Sequence, residues 1–437
     1  MPFYFVVSNK ICTFAAKSKY MEKELFRTII AENQEYIGRI PLVQRPLDLE
    51  EYGNYVFVGV RQAGKSYLLY QRIQQLLANG VDIENIVYVN FDDERLQGMS
   101  VTDFDLILQA YHSMYDSQPI FFFDEIQNVE GWANFARRLA NQKHRVYITG
   151  SNAKMLSRDI ETVLGGRYLD ISVFPYSFSE YLKAVGVSVS KNWQYGRKAN
   201  ELQRHFRTYF DWGGFPELVH FQEKRVWLNS LYNRIFFNDL VVRHKVKNED
   251  ALRLCVRRLA ESVKQPCSLN RLSNLIKATG TPCSPSTVME YVRYLQESCL
   301  LISIDNYVSK FVEKETIKKH YFVDNGLLHL FINNPNTSLL ENLCTITLYK
   351  KYGKGLYYYN RNIEVDFYVP DEGLAVQASY QMSDEETIER EVKALVALHG
   401  LYPLKRAMII TYEDEGEIVR EGLKIEIKPA WKWVMEG

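Results

Sequence analysis

Gly59-Val60-Arg61-Gln62-Ala63-Gly64-Lys65-Ser66 satisfies the pattern G-x-x-x-x-G-K-[ST], a loop that cradles phosphate only where a strand hands over to a helix. The flanks supply that context. Tyr55-Val56-Phe57-Val58 predicts a short buried strand, and Tyr67-Leu68-Leu69 to Leu76-Leu77 carries apolar residues at helical spacing. Gly59 and Gly64 allow backbone conformations and close approaches that a side chain would block. Successive N–H groups can then turn toward phosphate oxygens beside a helix N-terminus. The expected nucleotide-binding set is Gly59, Arg61, Gln62, Ala63, Gly64, Lys65, Ser66 and Tyr67. Lys65 would reach the β and γ phosphates, and Ser66 would give its hydroxyl to a magnesium ion touching them.

A second motif fits the first. Ile120-Phe121-Phe122-Phe123-Asp124-Glu125 is an apolar run ending in two carboxylates, as expected of a central strand that delivers acids to the ligand-binding edge of an open α/β sheet. Asp124 is the expected second magnesium holder. Glu125 is the expected base that polarises an attacking water, which implies hydrolysis rather than passive binding. One further strand, Asn85 to Phe91, lies between the phosphate loop and Asp124 in sequence. That order and the glutamate after the aspartate belong to NTPases with an additional strand and a catalytic glutamate, not to kinases or GTPases. Arg145 to Thr149 predicts another strand, running into Gly150-Ser151-Asn152. Asn152 is a candidate sensor of the γ phosphate, with capping of the following helix as the alternative.

Several segments together carry a family resemblance: GVRQAGKSYLL, YVNFDDERL, IFFFDEIQNVEGWANFARRL, YITGSNAKML, LGGRYLDISVFPYSFSEYL and WGGFPELV. Over roughly residues 35–430 the chain resembles bacterial and archaeal AAA-type ATPases that carry a C-terminal domain of unknown function related to restriction endonucleases. The resemblance implies ATP and magnesium as cofactors. It also nominates Arg167 as the arginine that compensates transition-state charge, a role pointing toward self-assembly; a surface ion pair is the alternative.

At 437 residues the chain predicts about three domains. Lys plus Arg and Asp plus Glu are 53 each, so any basic surface must be local. No apolar run is long enough to span a membrane, and the six cysteines form no C-x-x-C pair, so a cytoplasmic protein is expected. Met21 looks like a natural beginning, with residues 1–20 an upstream extension.

The expected architecture is an α/β P-loop core over 21–175, a helical lid over 176–250, a winged-helix-like unit over 251–320 and a restriction-endonuclease-like α/β domain over 321–437. The lid helices are expected at Phe178 to Val185, Ala199 to Phe210 and Val226 to Val242. In the third unit, Ser286 to Tyr294 would enter a major groove, and the local basic excess makes DNA a candidate partner; winged helices also serve as protein contacts. In the last domain Glu341, Asp366 and Gln377 fall where a nuclease places its metal-binding groups. The superfamily lysine is missing, because Gln377-Ala378-Ser379 ends in serine. That departure favours a retained scaffold with residual acids, acting on nucleic acid or protein, over an active nuclease.

Overall fold

Tyr55–Val58, Ile86–Asn90, Ile120–Asp124, Arg145–Gly150 and Leu169–Ser172 form strands β1 to β5 of one parallel sheet. The computed structural model describes residues 21–156, 162–189 and 191–436, so the expected extension 1–20 lies outside them. The order β2-β3-β4-β1-β5 inserts β4 between the phosphate-loop strand and the acid-bearing strand. The runs of β1 to β4 are mostly apolar because both faces are covered, while β5, at the sheet's edge, is largely exposed. Tyr55, Phe57, Tyr88, Phe122 and Tyr147 pack on the side of helix Lys65–Ala78. Val56, Val58, Val87, Phe121, Phe123 and Ile148 face a second cluster that takes in helices Lys23–Tyr36, Phe104–His112 and Trp132–Asn141. Alternate residues therefore serve opposite layers, and all five strands point their C-terminal ends at one edge.

Helices Phe178–Ala184, Gly196–Trp212 and Lys224–Arg234 follow, and the last widens into a π-helix at Ile235–Val242 where a single α-helix was expected. Next come helix Glu249–Glu261, β6 (Cys267–Ser268), helices Leu269–Lys277 and Pro285–Glu297, β7 (Leu301–Asn306), helix Phe311–Thr316 and β8 (Ile317–Phe322). β8 is antiparallel to both β6 and β7. The expected boundary between residues 320 and 321 falls inside β8.

Helix Asn336–Tyr352, β9 (Tyr357–Asn360), β10 (Glu364–Val369), β11 (Leu374–Ala378), helix Glu385–Leu401 and β12 (Arg406–Thr411) then follow in order. A hairpin of β13 (Gly416–Arg420) and β14 (Leu423–Pro429) and helix Ala430–Glu436 complete the described chain. β7 pairs in parallel with β9 through Asp305 and Asn306, so one sheet of nine strands runs across both regions. One apolar cluster likewise extends from Phe57 through Phe206, Leu259 and Tyr321 to Trp431.

Candidate functional site

The phosphate loop leaves β1 at Val58 and re-enters regular structure at Lys65, the first residue of its helix. A β-carbon on Gly59 would lie 2.0 Å from the Val173 carbonyl oxygen, so the close passage of two backbones fixes glycine there. Gly64 sits at φ +95°, a left-handed conformation that side-chain-bearing residues rarely adopt. Gln62 also takes a positive φ, +62°. The Gly59 N–H donates to the Gly150 carbonyl (3.4 Å), tying the loop to the end of β4.

Lys65 and Glu125 face each other across this loop. The lysine is 4% exposed; its Nζ donates to the Gly59 and Val60 carbonyls (3.2 and 3.3 Å) and lies 3.3 Å from Glu125 Oε1. Glu125 is held at φ +52°, and its Oε2 accepts from Gln127 Nε2 (2.5 Å) and the Ser151 N–H (3.2 Å). Burial pushes its carboxyl up, but Lys65, Gln127 and Ser151 together outweigh burial and hold it at about 2. It is an anion throughout the neutral range.

Asp124 is 1% exposed and accepts from the Tyr88 hydroxyl (2.7 Å), the Thr149 hydroxyl and the Ser66 side chain. Burial and then the adjacent Glu125 raise its carboxyl, opposed by the three hydroxyls. A serine hydroxyl against a buried carboxylate offers two hard oxygen donors of the kind magnesium takes alongside phosphate oxygens. Tyr67, 54% exposed, stands at the mouth of the loop in edge contact with Tyr70, ring centroids 5.5 Å apart.

The other expected residues are placed differently. The Asn152 carbonyl accepts from the Met155 N–H and heads the short helical turn Ala153–Leu156 beside Ser151. Arg167 is exposed, and its Nη1 donates to Gly165 of its own turn (3.0 Å). It precedes β5 beside Asn54, whereas the phosphate loop follows the opposite ends of β1 and β5. Within one chain Arg167 is therefore at the wrong edge to face the phosphates, and charge compensation from it requires a second copy.

In the C-terminal region Glu341 and Asp366 do meet, around a residue absent from the expected set. Lys319 of β8 is fully buried, with Nζ at 3.3 Å from Glu341, 3.2 Å from Glu364 and 3.1 Å from Asp366. The Tyr321 hydroxyl also donates to Glu341 (2.7 Å). Gln377 is turned to the backbone: its Oε1 accepts from the Asp366 N–H (2.8 Å), and its Nε2 donates to the Glu364 carbonyl (3.1 Å). Among the described residues no group of three or more His, Cys, Asp or Glu side chains is arranged to hold a metal ion.

Residue-by-residue reading also missed the supports of the nucleotide loop. Arg45 donates to the Ala63 carbonyl (3.1 Å) and the Phe174 carbonyl (3.0 Å) and forms an ion pair with Glu180 at 2.8 Å. Arg61 pairs with Asp239, far along the chain. Tyr88 carried a local signal, a hydroxyl in an otherwise apolar buried run; Arg45 and Asp239 carried none.

A sequence family described as an AAA domain matches residues 52–182, and a domain of unknown function (DUF8612) matches residues 203–338, in the middle of the chain. An uncharacterized protein of Methanocaldococcus jannaschii is 31% identical over 432 residues, covering 94% of this chain and 95% of that protein. An uncharacterized protein of Haemophilus influenzae is 31% identical over 391 residues, covering 86% of this chain and 93% of its own length. Among solved structures, the Walker-type ATPase of Pyrococcus abyssi aligns at 12% identity and a TM-score of 0.37, over 72% of this chain and 97% of that one.

Proposed function

The chain belongs to the family of the Methanocaldococcus and Haemophilus proteins and carries a P-loop AAA domain, and from that premise we propose that it is a magnesium-dependent ATPase. The observation that carries the reading is the meeting of Lys65, the Ser66–Asp124 pair and Glu125 at one sheet edge. Lys65 leaves Glu125 for the β and γ phosphates, while loop N–H groups from Gly59 to Tyr67 hold the remaining oxygens. Ser66 and Asp124 would hold magnesium, which would supply positive charge against the phosphate oxygens. Glu125, released from Lys65, accepts a proton from the water aligned on the γ phosphorus, with Gln127 and the Ser151 N–H fixing its carboxylate. Binding of a fluorescent ATP analogue tests the first half. Lys65→Ala should weaken it by about 100-fold, the scale of a charge-assisted contact inside a buried site; unchanged affinity would place the nucleotide elsewhere.

Residues 251–320 support a winged-helix reading, since a helix, the short strand β6, two further helices and then β7 and β8 follow in the order such units use, with β8 paired to both β6 and β7. Its outward side is mixed: Met289, Phe311 and Val312 are 53%, 80% and 71% exposed, beside Glu290 and Arg293. Exposed apolar groups with both charge signs suit a protein partner better than a phosphate backbone. In the last region, Lys319 occupies the centre of the acids and Gln377 is committed to backbone, which supports a binding scaffold over a nuclease. ATP turnover measured with duplex DNA across a salt series discriminates the two targets. Indifference to DNA supports a protein partner, and stimulation that fades steeply with salt would overturn that choice.

A further inference from the structure

Helix Lys224–Arg234 continues as eight residues of π-helix, Ile235–Val242. Such segments are rare and concentrate at functional sites, and here the constraint on it is visible. Asp239, 3% exposed in its side chain, receives Arg61 of the phosphate loop through two bonds, Nε at 2.9 Å and Nη2 at 3.1 Å. The same Oδ1 lies 3.0 Å from Arg243 Nη2. Arg243 Nη1 donates to the Ser151 carbonyl (3.4 Å), and the Ser151 N–H donates to Glu125. Both walls of the nucleotide site are thus tied through one carboxylate that comes from outside the core.

The tie continues into the next unit. His244 stacks on Tyr294 with ring centroids 3.9 Å apart and planes 12° apart, and its Nε2 lies 3.7 Å from Glu297. Helix Pro285–Glu297 ends there. Cys299, just beyond it at φ +57°, packs in the same apolar cluster as Ala153 of the loop after β4.

We propose that Asp239 is a positioning residue through which occupancy of the phosphate site and the seating of helix Pro285–Glu297 regulate one another; this rests on the ATPase reading above. A buried carboxylate facing two guanidinium groups is satisfied only while both remain. Phosphates entering the loop add negative charge beside Arg61 and weaken its hold on Asp239. The π-helical turn then shifts, carrying Arg243 and Ser151 at the glutamate and His244 at the helix. A partner that moves helix Pro285–Glu297 acts back on Glu125 along the same contacts.

The test uses the full chain. Asp239→Asn keeps the side-chain volume and one acceptor oxygen while removing the charge. In the wild-type protein, a non-hydrolysable ATP analogue should change amide exchange at residues 285–299 about fivefold or more, the lower end of ordinary coupling. In Asp239→Asn the analogue should still bind without moving that exchange, and kcat should fall about tenfold with KM little changed. Retained turnover together with retained exchange coupling in Asp239→Asn would overturn the proposal, as would a wild-type protein that binds the analogue without any response at 285–299. Should Asp239→Asn fail to fold, Arg243→Gln, at a position 23% exposed in its side chain, must reproduce the same loss of coupling. Binding without hydrolysis in the wild type would sink only the ATPase reading, because the exchange measurement still decides the coupling. Absence of binding would sink both.

Discussion

Lys319 shows how much one residue can carry without announcing itself. It satisfies three carboxylates while fully buried, and removing one partner of such a cluster leaves uncompensated charge in a medium that solvates it poorly. Lys319→Met should therefore lower the unfolding free energy by about 3–5 kcal/mol in a denaturant titration. Adding Asp366→Asn in that background should restore part of the loss, since it removes one stranded charge. Burial first, and then Asp366, push Glu341 up to about 7 against Lys319 and Tyr321. The folded state therefore binds this proton more tightly than the unfolded chain does, and stability falls as pH rises from the unfolded value toward 7. Glu341→Gln should flatten that slope; an unchanged slope would assign it to other groups. The phosphate-loop pattern singled out Lys65 and Ser66, and the apolar run ending in two carboxylates singled out Asp124 and Glu125, which meet them at one sheet edge. The sequence could not place Lys319, whose partners are 22 to 47 residues away, or foresee that Gln377 would be consumed by backbone.

Among the elements, β1 to β4 and the lid helices were legible from periodicity, with ends shifted by a few residues, whereas β5, β6, the hairpin β13–β14 and helices Lys23–Tyr36, Phe104–His112 and Trp132–Asn141 were not. Arg145–Gly150 and Leu374–Ala378 read as apolar runs because both faces of their sheets are covered. The π-helix was not legible, and the pairing of its Asp239 with Arg61 of the phosphate loop leaves no local signal in the sequence. The phosphate loop has a similar brace. Arg45 bridges the Ala63 and Phe174 carbonyls to Glu180, which caps helix Phe178–Ala184 through Ser177. Burial raises the Glu180 carboxyl, but Arg45 outweighs it and the net direction is down. This pairing therefore contributes stability above the unfolded carboxylate value and loses it as pH falls through the depressed one. Arg45→Ala should raise KM for ATP about tenfold by loosening the loop, with a smaller effect on kcat. A fall in kcat alone would mean that Arg45 acts on the chemical step instead.

Over the whole molecule, the expected division at residue 320 meets a sheet that does not divide. β8 crosses that point, and β7 joins β9 in parallel, so the strands of the middle unit and of the last one share a single ladder. The boundary was drawn from the order of elements expected of two separate units, and pairing between strands fifty residues apart leaves no trace in such an order. Residues 251–437 should accordingly unfold as one unit, with β7, β8 and β10 losing amide protection together in native-state exchange. Earlier loss in β10 alone would indicate separate bodies.

Magnesium-dependent ATP turnover in the wild type and in Glu125→Gln, with ATP binding measured on both, tests the central claim most directly. The expected result is turnover in the wild type and a loss of about 100-fold or more in Glu125→Gln while binding persists, as removal of a positioned base requires. Equal turnover in the two proteins, or none in a wild type that binds ATP with magnesium present, would contradict it.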